Sequence, residues 1–278
     1  MEWLQLLNRA IEYMEDNLMQ DMTCEEIASH VYMSPFHFQR TFHLLTGLTI
    51  SEYIRNRRLS LAAAELQNGG KVIDIAYRYG YETPESFTKA FRRFHGITPS
   101  QARSNGVCLK SFHRLIIKIK LEGGSVMEYK VVEKESMKIV TMTREFPAET
   151  GSQEVPEFWK EYYANGFAEK VCGMMGICIG NDQGQGKWRY GIGCEQKFIS
   201  TVPEGFEVIE IPAYTWVVFP CVGPMPQAIQ NKWTAVYSEW LPQSDYELIQ
   251  DYDIEFYTMG DSNSPEYRSE IWIPVRKK

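Results

Sequence analysis

Three sets of side chains in this 278-residue sequence could do chemistry. The first is Phe36, Gln39, Arg40 and His43, which helical spacing places on one face of the segment Ser34–Gly47. That face carries no carboxylate, and Gln and Arg can each make paired hydrogen bonds to a base edge. The second is Glu85, Thr88, Lys89 and Arg92, on the outer face of a segment beginning at Thr83. Glu85 could accept from cytosine N4 or could repel phosphate, so this set leans on phosphate contact and the first set on base edges. The third is Glu270, which abuts the apolar run Ile271-Trp272-Ile273. A buried carboxylate costs several kcal/mol unless it is paired or protonated, and a cationic ligand would supply the partner. Trp272, Trp216, Tyr214 and Tyr163 are the aromatic faces that could add cation–π attraction. The alternatives are a Glu270 that closes a salt bridge or lies at a solvated edge, and aromatics that only pack the core.

The elements that must hold these residues announce themselves through their ends. Ser34 is an N-cap signal with Pro35 at the first helical position, and Gly47 is a C-terminal stop. Phe38, Phe42 and Leu45 form the apolar stripe between them. Upstream, Thr23 with Glu26 reads as a capping box opening a short helix to Val31. Two short helices joined by a tight turn make a helix-turn-helix whose second helix is the reader. The arrangement occurs twice. Ile27-Ala28 recurs as Ile75-Ala76, 48 positions later. Phe38, Phe42, Gly47, Thr49 and Ser51 recur as Phe87, Phe91, Gly96, Thr98 and Ser100, 49 positions later. The one-residue slip falls in the turn, where insertion is easiest.

Between the two units, Ser51–Asn68 reads as one long helix ended by Gly69-Gly70. At about 1.5 Å per residue it is a rod of roughly 27 Å. Such a spacer holds two readers about one DNA turn, ~34 Å, apart, so a single chain reaches two adjacent major grooves without a dimer. Arg55, Arg57 and Arg58 on this helix are either solvated charge or phosphate contacts. An opening helix, from Trp3 to Leu18, is acidic outside and buttresses the first unit.

Net charge is −7, which alone argues against nucleic acid, but it is unevenly spread. Residues 34–120 hold 14 Lys+Arg against 5 Asp+Glu, residues 1–33 hold 1 against 7, and residues 121–278 hold 14 against 24. A basic module is therefore joined to an acidic one. The six cysteines match no zinc spacing and read as reduced, buried thiols. No histidine follows His113, which removes a His/Cys metal site and a Ser–His or Cys–His catalytic pair from the second half. No metal, no cofactor and no membrane partner is expected. Without a secretory signal, transmembrane run or lipidation motif, the expected location is the cytoplasm.

After Gly123-Gly124-Ser125 the apolar period changes to two. A basic strand, Leu115–Leu121, precedes this joint, and the expected division is 1–107, a linker 108–126, and 127–278. Strands are expected at 129–133, 137–142, 174–179, 189–195, 206–211, 214–219, 253–259 and 268–275, with helices at 155–167 and 226–240. This half also repeats, at an offset of 77: Tyr129 meets Phe206, Ile139 meets Trp216, Ile177 meets Ile254 and Tyr190 meets Tyr267. Two strand-strand-helix-strand-strand halves imply a pseudo-symmetric antiparallel sheet with helices packed on it. At the same offset Glu270 meets Gly193, which would leave space opposite the carboxylate. Gly184-Gln-Gly-Lys and Gly191-Ile-Gly lack the strand-turn-helix context of a phosphate loop and read as a hairpin.

Glu26-Ile-Ala28, Ser34–Arg40, Thr46-Gly47, Arg57–Ala62, Val72–Gly80 and Phe87–Pro99 together resemble the AraC/XylS transcription regulators. The resemblance implies an all-α domain with two helix-turn-helix units on a long linking helix, binding promoter DNA and contacting RNA polymerase as an activator. Carried over by position, base contacts fall on Phe36, Gln39 and Arg40 and on Glu85, Thr88 and Lys89; the second set departs from the family's frequent Gln/Arg pattern. Tyr129-Lys-Val-Val, Phe206-Glu-Val-Ile, Ile254-Glu-Phe-Tyr and Glu270-Ile-Trp-Ile-Pro-Val275 resemble the GyrI-like effector-binding domain, as in Rob-type regulators. That resemblance implies an α+β domain that binds hydrophobic, often cationic molecules between sheet and helices, with Glu270 as counter-ion. The expected protein is a non-enzymatic, effector-modulated regulator; the alternatives are a C-terminal hydrolase, drawing on Tyr252 with Glu255 or Glu270, and a ligand-free interaction module.

Overall fold

The computed structural model describes residues 2–104, 106–116, 126–147, 151–180 and 187–278, with side chains for all of these but 2–4, 36, 152 and 153. In chain order the helices are α1 (Glu2–Asp16), α2 (Cys24–His30), α3 (Pro35–Thr46), α4 (Ile50–Gln67), α5 (Val72–Arg78), α6 (Pro84–His95) and α7 (Pro99–Ala102). Strands β1 (Lys130–Lys134) and β2 (Met137–Pro147) lead to α8 (Gly151–Ala164), α9 (Phe167–Lys170), β3 (Met175–Ile179) and β4 (Lys187–Glu195). Then follow β5 (Glu207–Ile211), β6 (Tyr214–Val222), α10 (Gln227–Ala235), β7 (Tyr246–Leu248), β8 (Tyr252–Tyr257) and β9 (Arg268–Lys277). A π-helical turn, Val236–Trp240, prolongs α10. The chain forms two compact units: Glu2–Tyr32 with Leu48–Lys120, and Met33–Gly47 with Leu121–Lys278.

In the helical unit the cap signals work as expected. Thr23 and Glu26 exchange the two hydrogen bonds of a capping box at α2. Thr49 and Glu52 do the same at α4, which begins one residue earlier than its apolar pattern suggests. Thr83 caps α6 and Gly96, at φ 84°, stops it, a backbone angle that a side chain would disfavour. Leu59, Ala62 and Leu66 of α4, Ile75 and Ala76 of α5, and Phe87 and Phe91 of α6 form one core. Two arginines of α4 are committed inside this unit. Arg57 grips both oxygens of Glu15 at 2.8 and 2.7 Å, while Arg58 donates to the carbonyls of Leu18 and Gln20. They are thus neither free solvated charge nor available phosphate contacts, because their donors satisfy α1 and its C-terminal turn. Of the expected strand 115–121, Leu115 and Ile116 are not extended in a sheet, and 117–121 lies outside the described residues, as do Gly123-Gly124-Ser125 and Gly184-Gln-Gly.

The second unit is built on one antiparallel sheet ordered β1-β6-β9-β8-β3-β4-β2-β5, with β7 beside β9. Reading that order from either end gives the same succession of repeat elements, so the two halves are related by a pseudo-two-fold axis. The axis passes through the β3–β8 pair, where Ile177 faces Ile254, the two residues matched at the 77-residue offset. Only β7 has no counterpart in the sequence reading. Strand alternation divides the side chains between two faces. One face carries Ile177, Ile254, Trp216 and Val218, with Trp272 and Tyr214 against them. The other carries Cys178, Tyr190 and Ile192 under Phe158, Tyr162 and Trp159 of α8, and it also receives α10. Glycines make room there. A Cβ on Gly176 would stand 2.0 Å from the Tyr190 hydroxyl and 3.2 Å from Trp159.

Candidate functional site

Glu255 occupies the middle of β8 and points to the helix-covered face. Its Oε1 accepts from the Trp233 indole N–H of α10 at 2.8 Å, and its Oε2 accepts from the Tyr257 hydroxyl at 2.8 Å. Trp159 meets the Tyr257 ring edge-on at 5.1 Å and donates to the Tyr190 hydroxyl at 3.0 Å. Burial, and after it the nearby Glu255, pushes both tyrosine hydroxyls well above their ordinary range, so both stay protonated and can donate. One carboxylate is therefore held in a cage of four aromatic rings. Two residues away Asp253 adds a second, fully buried carboxylate, on which neither oxygen accepts a hydrogen bond from the described residues.

The cage is occupied by the chain itself. Helix α3 packs against α10, and its start is tied down where the Ser34 N–H donates to the Gln250 side chain. From α3, Arg40 extends over the Trp233 ring with its guanidinium carbon 3.7 Å from the ring centre. Its Nη2 donates to Glu255 Oε1 at 2.9 Å, and its Nη1 lies 3.4 Å from the Cys178 sulfur and 3.5 Å from Asp253. Burial opposes the Arg40 charge, but Cys178, Glu255 and Asp253 outweigh it and hold the guanidinium pKa above its usual value. His37, one turn earlier, stands 3.6 Å from Asp253. Burial, opposed by Asp253 and assisted by Arg40, lowers its pKa and keeps the ring neutral.

Known families, related proteins and a solved structure resemble the two parts of this chain. Residues 130–275 match the family of integron-associated effector binding proteins, and residues 27–105 match the family described as a helix-turn-helix domain. The transcriptional activator AarP of Providencia stuartii is 37% identical over 99 residues, which is 35% of this chain and 73% of AarP. The regulatory protein SoxS of Salmonella typhimurium is 36% identical over 100 residues, 36% of this chain and 94% of SoxS. The chain belongs to the AraC/XylS regulators and carries an integron-associated effector-binding domain. A solved structure of SAV2435 bound to tetraphenylphosphonium aligns with a TM-score of 0.48 at 24% identity, covering 54% of the regulator and 94% of SAV2435.

The residues singled out from the regulator's sequence fall into three groups. Glu85, Lys89 and Arg92 are exposed on α6 and Thr88 is half-buried beside them, an outward row. On α3, Gln39 is 9% exposed, Arg40 lies in the cage and His43 is half-buried; the Phe36 side chain is outside the described residues. Glu270, Trp272, Trp216 and Tyr214 do come together, with Trp216 and Trp272 rings 6.1 Å apart and Tyr214 5.7 Å from Trp216. They gather on the face away from α8 and α10, so Glu270 does not stand between sheet and helices as the resemblance implied. It instead accepts from Lys130 at 2.9 Å and from the Trp272 N–H at 2.8 Å, the salt-bridge alternative. Tyr163 is apart from them on α8, 58% exposed. Nor does Gly193 open a space, since a Cβ there would meet the Val140 carbonyl oxygen at 2.0 Å; this glycine permits close strand approach. Glu255, Trp233, Trp159 and Tyr257 were the residues the sequence reading did not assemble. The signal for them was Asp253-Ile-Glu255, two carboxylates on one face of a strand-period run.

Proposed function

We propose that this regulator activates transcription in the bacterial cytoplasm by laying α3 and α6 in two adjacent major grooves, and that a hydrophobic organic cation bound in the Glu255 cage modulates it. The reading is supported above all by Glu255, a carboxylate whose two oxygens take hydrogen bonds from aromatic side chains, next to a Trp233 ring whose face already carries the Arg40 guanidinium. A buried carboxylate so arranged favours a poorly hydrated cation, because it recovers Coulomb energy and cation–π attraction while losing little hydration. Two duplicated reading helices on one chain support monomeric binding and, with it, contact with RNA polymerase from one DNA face. The protein acts as a sensor and not as an enzyme.

Thermal-shift titration of the whole chain with tetraphenylphosphonium and with a neutral aromatic of similar size tests the sensing arm. Glu255→Gln should abolish most of the cation-dependent rise and leave the neutral response alone. Glu270→Gln, on the opposite face, should change neither; if it removes the cation response and Glu255→Gln does not, the cage is misassigned. Footprinting on a duplex selected from random DNA should protect two neighbouring turns on one face, and protection of a single turn rejects two-groove reading.

A further inference from the structure

The same guanidinium that fills the cage belongs to the helix proposed to read base edges. Arg40 is bonded to Glu255, lies over Trp233 and approaches Asp253, and on the same helix His37 and Gln39 are buried within the unit. A side chain in this position cannot simultaneously reach the edge of a base pair. Arg40 is also an imperfect occupant. Two carboxylates face one guanidinium with a neutral His37, and Asp253 makes no hydrogen bond among the described residues. The cage therefore sets two carboxyl groups against one guanidinium that bonds only one of them, and would accept a better-matched cation.

We propose that Arg40 is a resident competitor for the effector cage, so that an organic cation entering the cage expels Arg40 and frees the reading face of α3 for DNA. The inference rests on the cage being the effector site. The class of effector follows from the occupant: a delocalised monocation with a flat or aromatic surface to lie on Trp233, weakly hydrated as a guanidinium is. Metal ions are a poor fit, since among the described residues no three acids, histidines or cysteines converge as a metal site. Because cation and DNA each require Arg40 to leave the cage, each raises the affinity of the other, and linkage makes the two factors equal.

The test uses the full chain, tetraphenylphosphonium as probe and a duplex selected from random DNA by the wild-type protein. In the wild type, saturating duplex should tighten the probe's Kd about 5- to 150-fold, and saturating probe should tighten the duplex by the same factor. Arg40→Ala should bind the probe more tightly than wild type without DNA, and added duplex should no longer change that affinity. Arg40→Gln, which keeps a polar group near the carboxylates, should behave likewise and guards against misfolding of the alanine variant; circular dichroism checks both. Probe binding to the Arg40 variants that is unchanged, weaker or absent overturns the proposal, as does a wild type without coupling. Glu255→Gln in the Arg40→Ala background separates the two readings. If the probe still binds as tightly there, the cage assignment fails; if it weakens while wild-type coupling is absent, only the competition fails.

Discussion

Helices α3 and α6 share their plan. Each starts with a hydroxyl N-cap followed by proline, and each stops at a glycine with positive φ. Each buries a pair of phenylalanines one turn apart, Phe38 and Phe42 or Phe87 and Phe91. Their other faces differ. Glu85, Lys89 and Arg92 of α6 are exposed, whereas on α3 His37 and Arg40 are withdrawn among β8 and α10 and Gln39 is buried. Caps and apolar period thus specify the helix and its inner side, while the polar side is left to choose a partner. A guanidinium can satisfy either a guanine edge or a carboxylate beside an indole, since both present acceptors in one plane.

The comparison can be broken most forcefully at the shared core. Phe42→Ala and Phe91→Ala should each cost about 3–5 kcal/mol in denaturant unfolding. A loss under 1 kcal/mol for Phe42 alone would mean that α3 is not packed as α6 is. On DNA the two should diverge. Arg40→Ala should cost about 1–3 kcal/mol at one base step and relax the preference there. Lys89→Ala should weaken all sequences alike and lower the log–log salt slope by about 0.9. A sequence-independent loss for Arg40→Ala would reverse the assigned roles.

Each helix also carries a buried histidine. Burial lowers the pKa of His37 against the pull of Asp253, and it lowers that of His95 against the pull of its bond to the Leu59 carbonyl. Both rings are neutral when folded and bind a proton more readily when unfolded. Their contribution is therefore intact above about pH 6.5, the unfolded value, and is lost progressively as pH falls through the lower folded values. His95→Gln should flatten that acid loss for the helical unit and His37→Gln for the sheet unit, read as the pH dependence of each unfolding midpoint. The smallest differences are at the caps. Ser34→Ala and Thr83→Ala should each cost about 1 kcal/mol, and a loss confined to Thr83 would fit the longer 3.4 Å bond at Ser34 against 3.1 Å at Thr83.

Much of the architecture was readable because its signals are local. Thr23 with Glu26, Ser34-Pro35, Thr83-Pro84, Gly47 and Gly96 act within a turn of their own position. The 77-residue repeat was readable because pairing Ile177 with Ile254 needs only like residues at like spacing. The cage was not readable for a geometric reason. A period of two tells which residues share a face, and it did group Glu270 with Trp272. It does not tell which face the helices will cover, and that choice separates Glu255 from Glu270. Arg57 and Arg58 were ambiguous for a related reason: their partners, Glu15 and the carbonyls of Leu18 and Gln20, lie about 40 positions away in sequence.

The pseudo-two-fold axis through Ile177 and Ile254 has a consequence for whatever enters the cage. At the 77-residue offset Glu255 corresponds to Cys178, and Arg40 touches both, one through each terminal nitrogen. Had the duplication kept a carboxylate at each, a guest would find two poses of similar energy, related by a half-turn, and would exchange between them. A thiol on one side and a charge on the other removes that degeneracy. A guest with a single positive centre is then held in one pose, displaced toward β8.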